Sequence, residues 1–490
     1  MSKPIVWTIA GSDSGGGAGI QADMAAMRAF HTYPCSVITA VTAQNSCAVL
    51  AIAATSLTVL RQQLHALIND LPPRAIKIGM LANAEQVRCI AEFISEFADE
   101  VPVILDPVAV SSSGSVLADD HVLEAIRAYL LPRCQLVTPN IKELAALTGF
   151  TIDSEATARR AALYLLELGA ERVLVKGGHA SWQGDICRDD FYSDTLEFTL
   201  EQPRQTTEHV HGTGCTLAAT IAAAVANGAL FEDAVIEGNA YIAQGLAQSE
   251  GYGRGPGPVA QTQTPVAVDF FPALSVRSPQ IDCHEPFLAT EQQLGLYPIV
   301  HTTALLTELL EAGVKTIQLR LKNPESSKAL ADEVAYAVQL GRDFDARVFI
   351  NDYWQLAIRF GAYGVHLGQD DLEQADLNEI ARAGLRLGVS THDYFELLRA
   401  MQIRPSYIAL GHVFATPTKV MKSAPQGLRR LKHYAELAAE FPTVAIGGID
   451  LSNAADVWRC GVGSIAVVRA ICDVDDRKAQ LARFADVIEC

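Results

Sequence analysis

Eight short apolar runs follow one another through the last part of the chain, at 297–301, 316–321, 347–351, 364–367, 386–390, 407–411, 443–446 and 464–468, with a helical pattern between each pair. A strand covered on both faces by crossover helices reads as a continuous apolar run. Eight such β/α units in so short a stretch point to a (β/α)8 barrel of TIM type, whose active site forms at the C-terminal ends of the strands. Polar residues close the runs where that rule needs them: Arg320 with Lys322, Asn351 with Asp352, Gln369 with Asp371, Ser390 with His392, and Thr416 with Thr418 and Lys419.

The earlier part of the chain alternates β-branched runs (5–10, 75–79, 101–106, 136–138, 173–175) with helical patterns, the grammar of a mostly parallel α/β sheet. Prolines 256, 258, 265, 272, 279 and 286 then arrive with little apolar periodicity, as in a linker. The 490 residues therefore divide into a domain at 1–260, a linker at 261–292 and a barrel at 293–490, with 266–271 able to pack back on the first domain.

A net charge of -18 leaves no basic stripe for a nucleic acid or an anionic membrane. The ten cysteines form no C-x-x-C pair, Met1 runs directly into a strand, and the apolar stretch 217–230 is too short to cross a bilayer. A cytoplasmic enzyme is expected. Anionic substrates must then be met by local cations, metal ions or backbone N–H groups.

Two glycine turns suit that purpose. Gly11-Ser12-Asp13-Ser14-Gly15-Gly16-Gly17-Ala18-Gly19 links a strand to a helix without the Gly-Lys-Ser/Thr closure of a Walker A loop, and alone is as readily structural as functional. His211-Gly212-Thr213-Gly214-Cys215-Thr216 leads into a helix of small residues, so its N–H groups and the helix dipole can stabilise a transferring phosphoryl group. At that N-terminus the Cys215 thiol is expected to have a lowered pKa, fitting it to take a proton from a substrate hydroxyl. In the barrel, Gln318, Arg320 and Lys322 alternate onto one strand face, where two cations call for an anion. Asp352 and Asp371 follow neighbouring strands as hard oxygen ligands for Mg2+, Lys419 adds positive charge, and Gly447-Gly448 with Val468-Arg469 occupies the usual phosphate position of such barrels.

Gly11 to Asp23, Gln44-Asn45, Lys77-Ile78-Gly79-Met80-Leu81, Thr138-Pro139-Asn140, Lys176-Gly177-Gly178-His179 and His211 to Thr216 resemble the hydroxymethylpyrimidine/phosphomethylpyrimidine kinases of the ribokinase-like superfamily. The resemblance implies a three-layer α/β/α fold, with ATP and Mg2+ as co-substrate and metal. It implies that Gln44 bonds the aminopyrimidine, with Gly11 and Asp23 lining the same pocket. Asn140 and Glu143 would hold Mg2+ and phosphate, Lys176 the nucleotide phosphates beside Gly212 and Gly214. Cys215 stands where most sugar kinases carry Asp, which weakens a sugar-kinase reading.

Gln318 to Lys322, Asn351-Asp352, His366-Leu367-Gly368-Gln369, Gly388-Val389-Ser390, Thr416-Pro417-Thr418-Lys419 and Ile446-Gly447-Gly448-Ile449 are similar to thiamine-phosphate synthase. By that resemblance Gln318, Arg320, Lys322, Asn351, Ser390 and Lys419 hold the pyrimidine diphosphate, Asp352 and Asp371 the Mg2+, and Thr416, Thr418, Gly448, Val468 and Arg469 the thiazole phosphate. His301-Thr302-Thr303 departs from the aspartate common at the first strand end. Together the resemblances imply a bifunctional enzyme that phosphorylates hydroxymethylpyrimidine twice and condenses the diphosphate with thiazole phosphate. The rival is a pyridoxal-type kinase fused to another phosphate-binding barrel, such as an epimerase. Partners are small molecules, and self-association through the kinase-like half is left open.

Overall fold

The computed structural model describes residues 2–97, 100–108, 119–178, 180, 182–281, 283–322, 326–416 and 424–488. It divides into two compact units, Met1–Pro279 and Gln280–Cys490.

The first unit is built on ten strands: β1 (Ile5–Asp13), β2 (Tyr33–Gln44), β3 (Val49–Ala54), β4 (Ala75–Ile78), β5 (Val103–Leu105), β6 (Leu136–Val137), β7 (Arg172–Val175), β8 (Ile186–Ser193), β9 (Glu197–Pro203) and β10 (Ala273–Ser278). They form one sheet in the order β10-β9-β8-β7-β6-β5-β4-β1-β2-β3. The centre, from β7 to β2, is parallel, and both arms are antiparallel. Alternation along β1 sorts the two faces. Trp7 and Ile9 enter the core shared with Leu60, Leu64, Val87, Ile90, Leu144 and Leu165. Thr8, on the other face, meets Asp23 of the helix Gly19–Ala29. The helix Thr213–Ala226 packs on that same face, and its uncharged Ala, Thr and Ile residues follow from burial on nearly all sides.

The proline-rich stretch expected as a linker carries more structure than composition suggests. Val259 and Val266 are buried, and β10 pairs with β9 at the sheet's edge. The unit boundary accordingly falls after Pro279.

The second unit is a closed, all-parallel barrel of β11 (Gly295–Val300), β12 (Thr316–Leu319), β13 (Arg347–Asn351), β14 (Gly364–Leu367), β15 (Arg386–Thr391), β16 (Tyr407–Leu410), β17 (Thr443–Ala445) and β18 (Ser464–Val467). Tyr297, Phe349, Tyr407, Ala409, Val444 and Ala466 fill its interior. Among the described residues, no helix is long and apolar enough to cross a membrane.

Candidate active sites

In the first unit both glycine turns converge. Gly19 takes a positive φ of 58°, and a Cβ there would collide with the Gly11 carbonyl oxygen. Gly212, at φ 78°, caps the helix Thr213–Ala226 and leaves no room for a Cβ against the Gly17 carbonyl. Asp13 fastens the loop: its carboxylate accepts from the backbone N–H groups of Gly15 (2.8 Å) and Ala18 (3.0 Å) and stands 3.1 Å from His211 Nε2. Burial pushes that carboxyl up, but the His211 and backbone hydrogen bonds outweigh it and hold Asp13 below the ordinary range. Gln44 ends β2 with its Nε2 3.5 Å from His211 Nε2, and Gly11 is buried against Met80.

Beside the helix N-terminus, Lys176 Nζ donates to Asp106 (2.7 Å) and lies 3.7 Å from Glu143. A Cβ on Gly214 would come within 3.1 Å of Lys176 Nζ, so cation, carboxylates and N–H groups share one spot. Asn140 and Glu143 cap one another. Asn140 Oδ1 accepts from the N–H groups of Lys142 and Glu143, and Glu143 accepts from Asn140 N in return, a capping box for the helix Ile141–Thr148. Burial, set partly against Lys176, pushes the Glu143 carboxyl up.

Two expectations are corrected. Asp23 does not line a pocket: it has no exposed surface, accepts from Thr8 Oγ1 (2.6 Å), and pairs with an equally buried Lys77 at 2.8 Å. The Cys215 thiol is not lowered. Burial first, then the carboxylates of Asp23 and Asp106, outweigh Lys77 and push it up to about 11, so it is protonated at neutral pH.

In the barrel, a cavity of about 470 Å3 opens at the C-terminal strand ends. Gln318, Arg320, Asn351, Asp352, Asp371, Ser390, Thr416, Gly448, Val468 and Arg469 all line it. Lys322 does not: β12 stops at Leu319, and Lys322 beyond it is exposed. Thr418 and Lys419 lie outside the described residues. Asp370 is exposed, whereas Asp371 turns into the cavity. Burial and the neighbouring Asp371, partly offset by Arg320, push Asp352 up to about 6. Two carboxylates forced together in this way fit a divalent cation, which replaces their mutual repulsion. Gly448 adopts φ 66°, where a Cβ would come within 2.8 Å of Phe414 Cβ. At the first strand end, Thr302 caps the helix Thr303–Glu311 and His301 Nδ1 lies 3.1 Å from the Arg320 carbonyl oxygen.

Sequence reasoning passed over several members of these sites. Asp106 carried a signal, since it is the polar residue that closes a buried parallel strand. Tyr297, Tyr407 and His366, hydrogen-bonded in series inside the barrel, carried little, because aromatic residues in strands usually signify core.

A family model described as phosphomethylpyrimidine kinase matches residues 13–260, and one described as thiamine monophosphate synthase matches residues 293–471. The thiamine-phosphate synthase of Serratia proteamaculans is 55% identical over 208 residues, covering 42% of this chain and 98% of that protein. That of Photorhabdus laumondii is 54% identical over 205 residues, or 42% of this chain and 94% of its own. The Staphylococcus aureus pyridoxal kinase, solved with ADP, superposes on 57% of this chain and all of its own, with a TM-score of 0.52 and 29% identity.

Proposed function

The chain belongs to the phosphomethylpyrimidine kinase family through residues 13–260 and to the thiamine-phosphate synthases through residues 293–471, and we infer that it is a bifunctional enzyme of thiamine biosynthesis. Its first half phosphorylates 4-amino-5-hydroxymethyl-2-methylpyrimidine to the monophosphate and then the diphosphate at the expense of ATP. Its second half joins that diphosphate to thiazole phosphate, giving thiamine phosphate and diphosphate.

In the kinase half, Gln44 is read as the aminopyrimidine contact and Lys176 with the N–H groups around Gly212 and Gly214 as the phosphate cradle. Asp106 and Glu143 would hold Mg2+, which screens phosphate charge. The protonated Cys215 thiol is better suited to orienting the substrate oxygen than to acting as its base.

In the barrel half, Asp352 and Asp371 would hold Mg2+, whose charge stabilises a departing diphosphate. Arg320 supports the same oxygens, with Asn351, Gln318 and Ser390 around the pyrimidine and Lys419 added by resemblance. The methylene C–O bond breaks with its electron pair leaving on diphosphate. The resulting cation is spread over the aminopyrimidine, and the thiazole nitrogen lone pair forms the new C–N bond. That nitrogen carries no proton, so no general base is needed. Thr416, Gly448, Val468 and Arg469, with Thr418 by resemblance, are read as the thiazole phosphate side.

The observation that carries this reading is the gathering of ten family-matched residues around one cavity at the strand ends. Asp352→Ala should abolish condensation and leave pyrimidine phosphorylation intact, while Lys176→Ala should do the reverse. Loss of both activities in either variant would contradict two separate sites.

Self-association through the kinase half is also proposed. The edge strand β3 presents Leu50, 73% exposed, and Ile52, 42% exposed, an apolar edge that another copy can cover.

A further inference from the structure

Five side chains form an unbroken hydrogen-bonded series through the barrel interior. Gln318 Nε2 donates to the Tyr297 hydroxyl at 3.3 Å, the Tyr297 and Tyr407 hydroxyls lie 2.9 Å apart, Tyr407 meets His366 Nδ1 at 2.7 Å, and His366 Nε2 meets Ser390 Oγ at 2.8 Å. Gln318, His366 and Ser390 line the cavity, whereas the two tyrosines are fully buried and do not touch it. The series is fitted into the fold: a Cβ on Gly388 would collide with the Tyr407 ring, and Tyr297, Phe349 and Tyr407 hold one another in tilted and edge-on contacts.

Each hydroxyl has one proton to give, and a neutral imidazole has one N–H. Along these four bonds the series runs as a unit, in one direction or the other. With Gln318 Nε2 on Tyr297, the protons pass from Gln318 to Tyr297, to Tyr407 and to His366 Nδ1. His366 then donates through Nε2 to Ser390. Gln318 is left with its Oε1 as an acceptor for the cavity, and Ser390 with its O–H as a donor. A 4-aminopyrimidine offers the complements, an exocyclic N–H and ring nitrogen lone pairs. A 4-oxopyrimidine offers the reverse, a carbonyl oxygen and a ring N–H.

We propose that Tyr297, Tyr407 and His366 are specificity-determining positioning residues that lock the Gln318 amide and the Ser390 hydroxyl in the polarity selecting an amino over an oxo pyrimidine diphosphate. The proposal rests on the reading of Gln318 and Ser390 as pyrimidine contacts. Cutting the series at a tyrosine frees the amide to turn over and present N–H to a carbonyl, which relaxes the discrimination without removing a contact to the substrate.

The test compares kcat/KM for the 4-amino pyrimidine diphosphate and its 4-oxo analogue in the full chain, its Tyr297→Phe and its Tyr407→Phe variants, each with thiazole phosphate. The amino-over-oxo ratio should fall by about tenfold or more in both variants, with the KM for thiazole phosphate unchanged. Pyrimidine phosphorylation by the same samples reports the integrity of the preparation, and either variant that still condenses decides the matter. An unchanged ratio in such a variant, or a wild-type barrel that takes both rings equally, overturns the proposal. Gln318→Ala separates the two layers of inference. If it leaves the KM for the pyrimidine diphosphate unaltered, the site reading has failed. If it raises that KM while the tyrosine variants keep full selectivity, only the relay has failed.

Discussion

Replacing Asp23 by asparagine distinguishes a pocket residue from a structural one. Lys77 has no exposed surface, and its Nζ lies 2.9 and 2.8 Å from the two Asp23 oxygens. Burial pushes the Asp23 carboxyl up; burial also presses on the Lys77 ammonium, but the Asp23 carboxylate with its anionic neighbours outweighs it and raises Lys77 above its ordinary value. These shifts pull in opposite senses on the pair. The geometry favours the ionised form, because both carboxylate oxygens accept from one ammonium and a proton on either would face a donor. Asp23→Asn keeps the shape but leaves a buried ammonium without its counter-charge, at a cost of about 3–5 kcal/mol. Set against a total domain stability of about 5–15 kcal/mol, that is a large fraction. For a unit of this size it corresponds to a fall of roughly 6–20 °C in the midpoint of thermal inactivation. Kinase activity should therefore be lost at lower temperature, while the synthase activity of the same sample serves as the internal reference. A double variant, Asp23→Leu with Lys77→Met, should regain most of the loss, since an apolar pair of similar volume replaces a buried ion pair at little net cost. An unchanged inactivation midpoint, together with a raised KM for the pyrimidine, would refute this reasoning and restore Asp23 to the pocket.

Asp13 is held below its ordinary pKa in the folded chain, so its contribution to stability is complete above the unfolded value of about 3.9 and disappears as pH falls through the lower folded value. The midpoint of kinase inactivation should drop steeply in that acid window, and Asp13→Asn should flatten the drop. Gly448→Ala forces a side chain into φ 66° against Phe414, a strain of roughly 1–2 kcal/mol before any clash. It should lower kcat/KM for thiazole phosphate by about tenfold or more and spare the kinase. Leu50→Lys with Ile52→Lys should shift the chain to a smaller species in sedimentation velocity, and an unaltered sedimentation coefficient would rule out that edge as an interface.

The strands legible in the sequence were those buried on both faces, because only they write an uninterrupted apolar run: β1, β4, β5, β6, β7 and the eight barrel strands. β2, only partly buried, and the antiparallel arms escaped. β8 carries Asp189 and Asp190, which read as surface residues, yet Asp189 is buried against Gly177 N and Asn239 and Asp190 against Thr199 and Arg277. Those partners lie up to tens of residues away, beyond any local pattern. β10 was hidden by its prolines, which edge strands tolerate. In the sites, spacing and resemblance named the residues that meet in the barrel cavity because strand ends are fixed by the run that precedes them. Lys322 broke the pattern because the strand ended one turn of alternation too soon for it to point inward. Cys215 and Asp23 were misread for one reason. Both depend on their burial against Thr8, Lys77 and Asp106, drawn from three different strands or their ends.

The most direct measurement supplies the purified chain with hydroxymethylpyrimidine, ATP, Mg2+ and thiazole phosphate and follows the products by mass. The pyrimidine mono- and diphosphates should rise and decline as thiamine phosphate accumulates. Absence of thiamine phosphate, with active preparations of each half confirmed on their own substrates, would contradict the coupling of the two activities in one polypeptide.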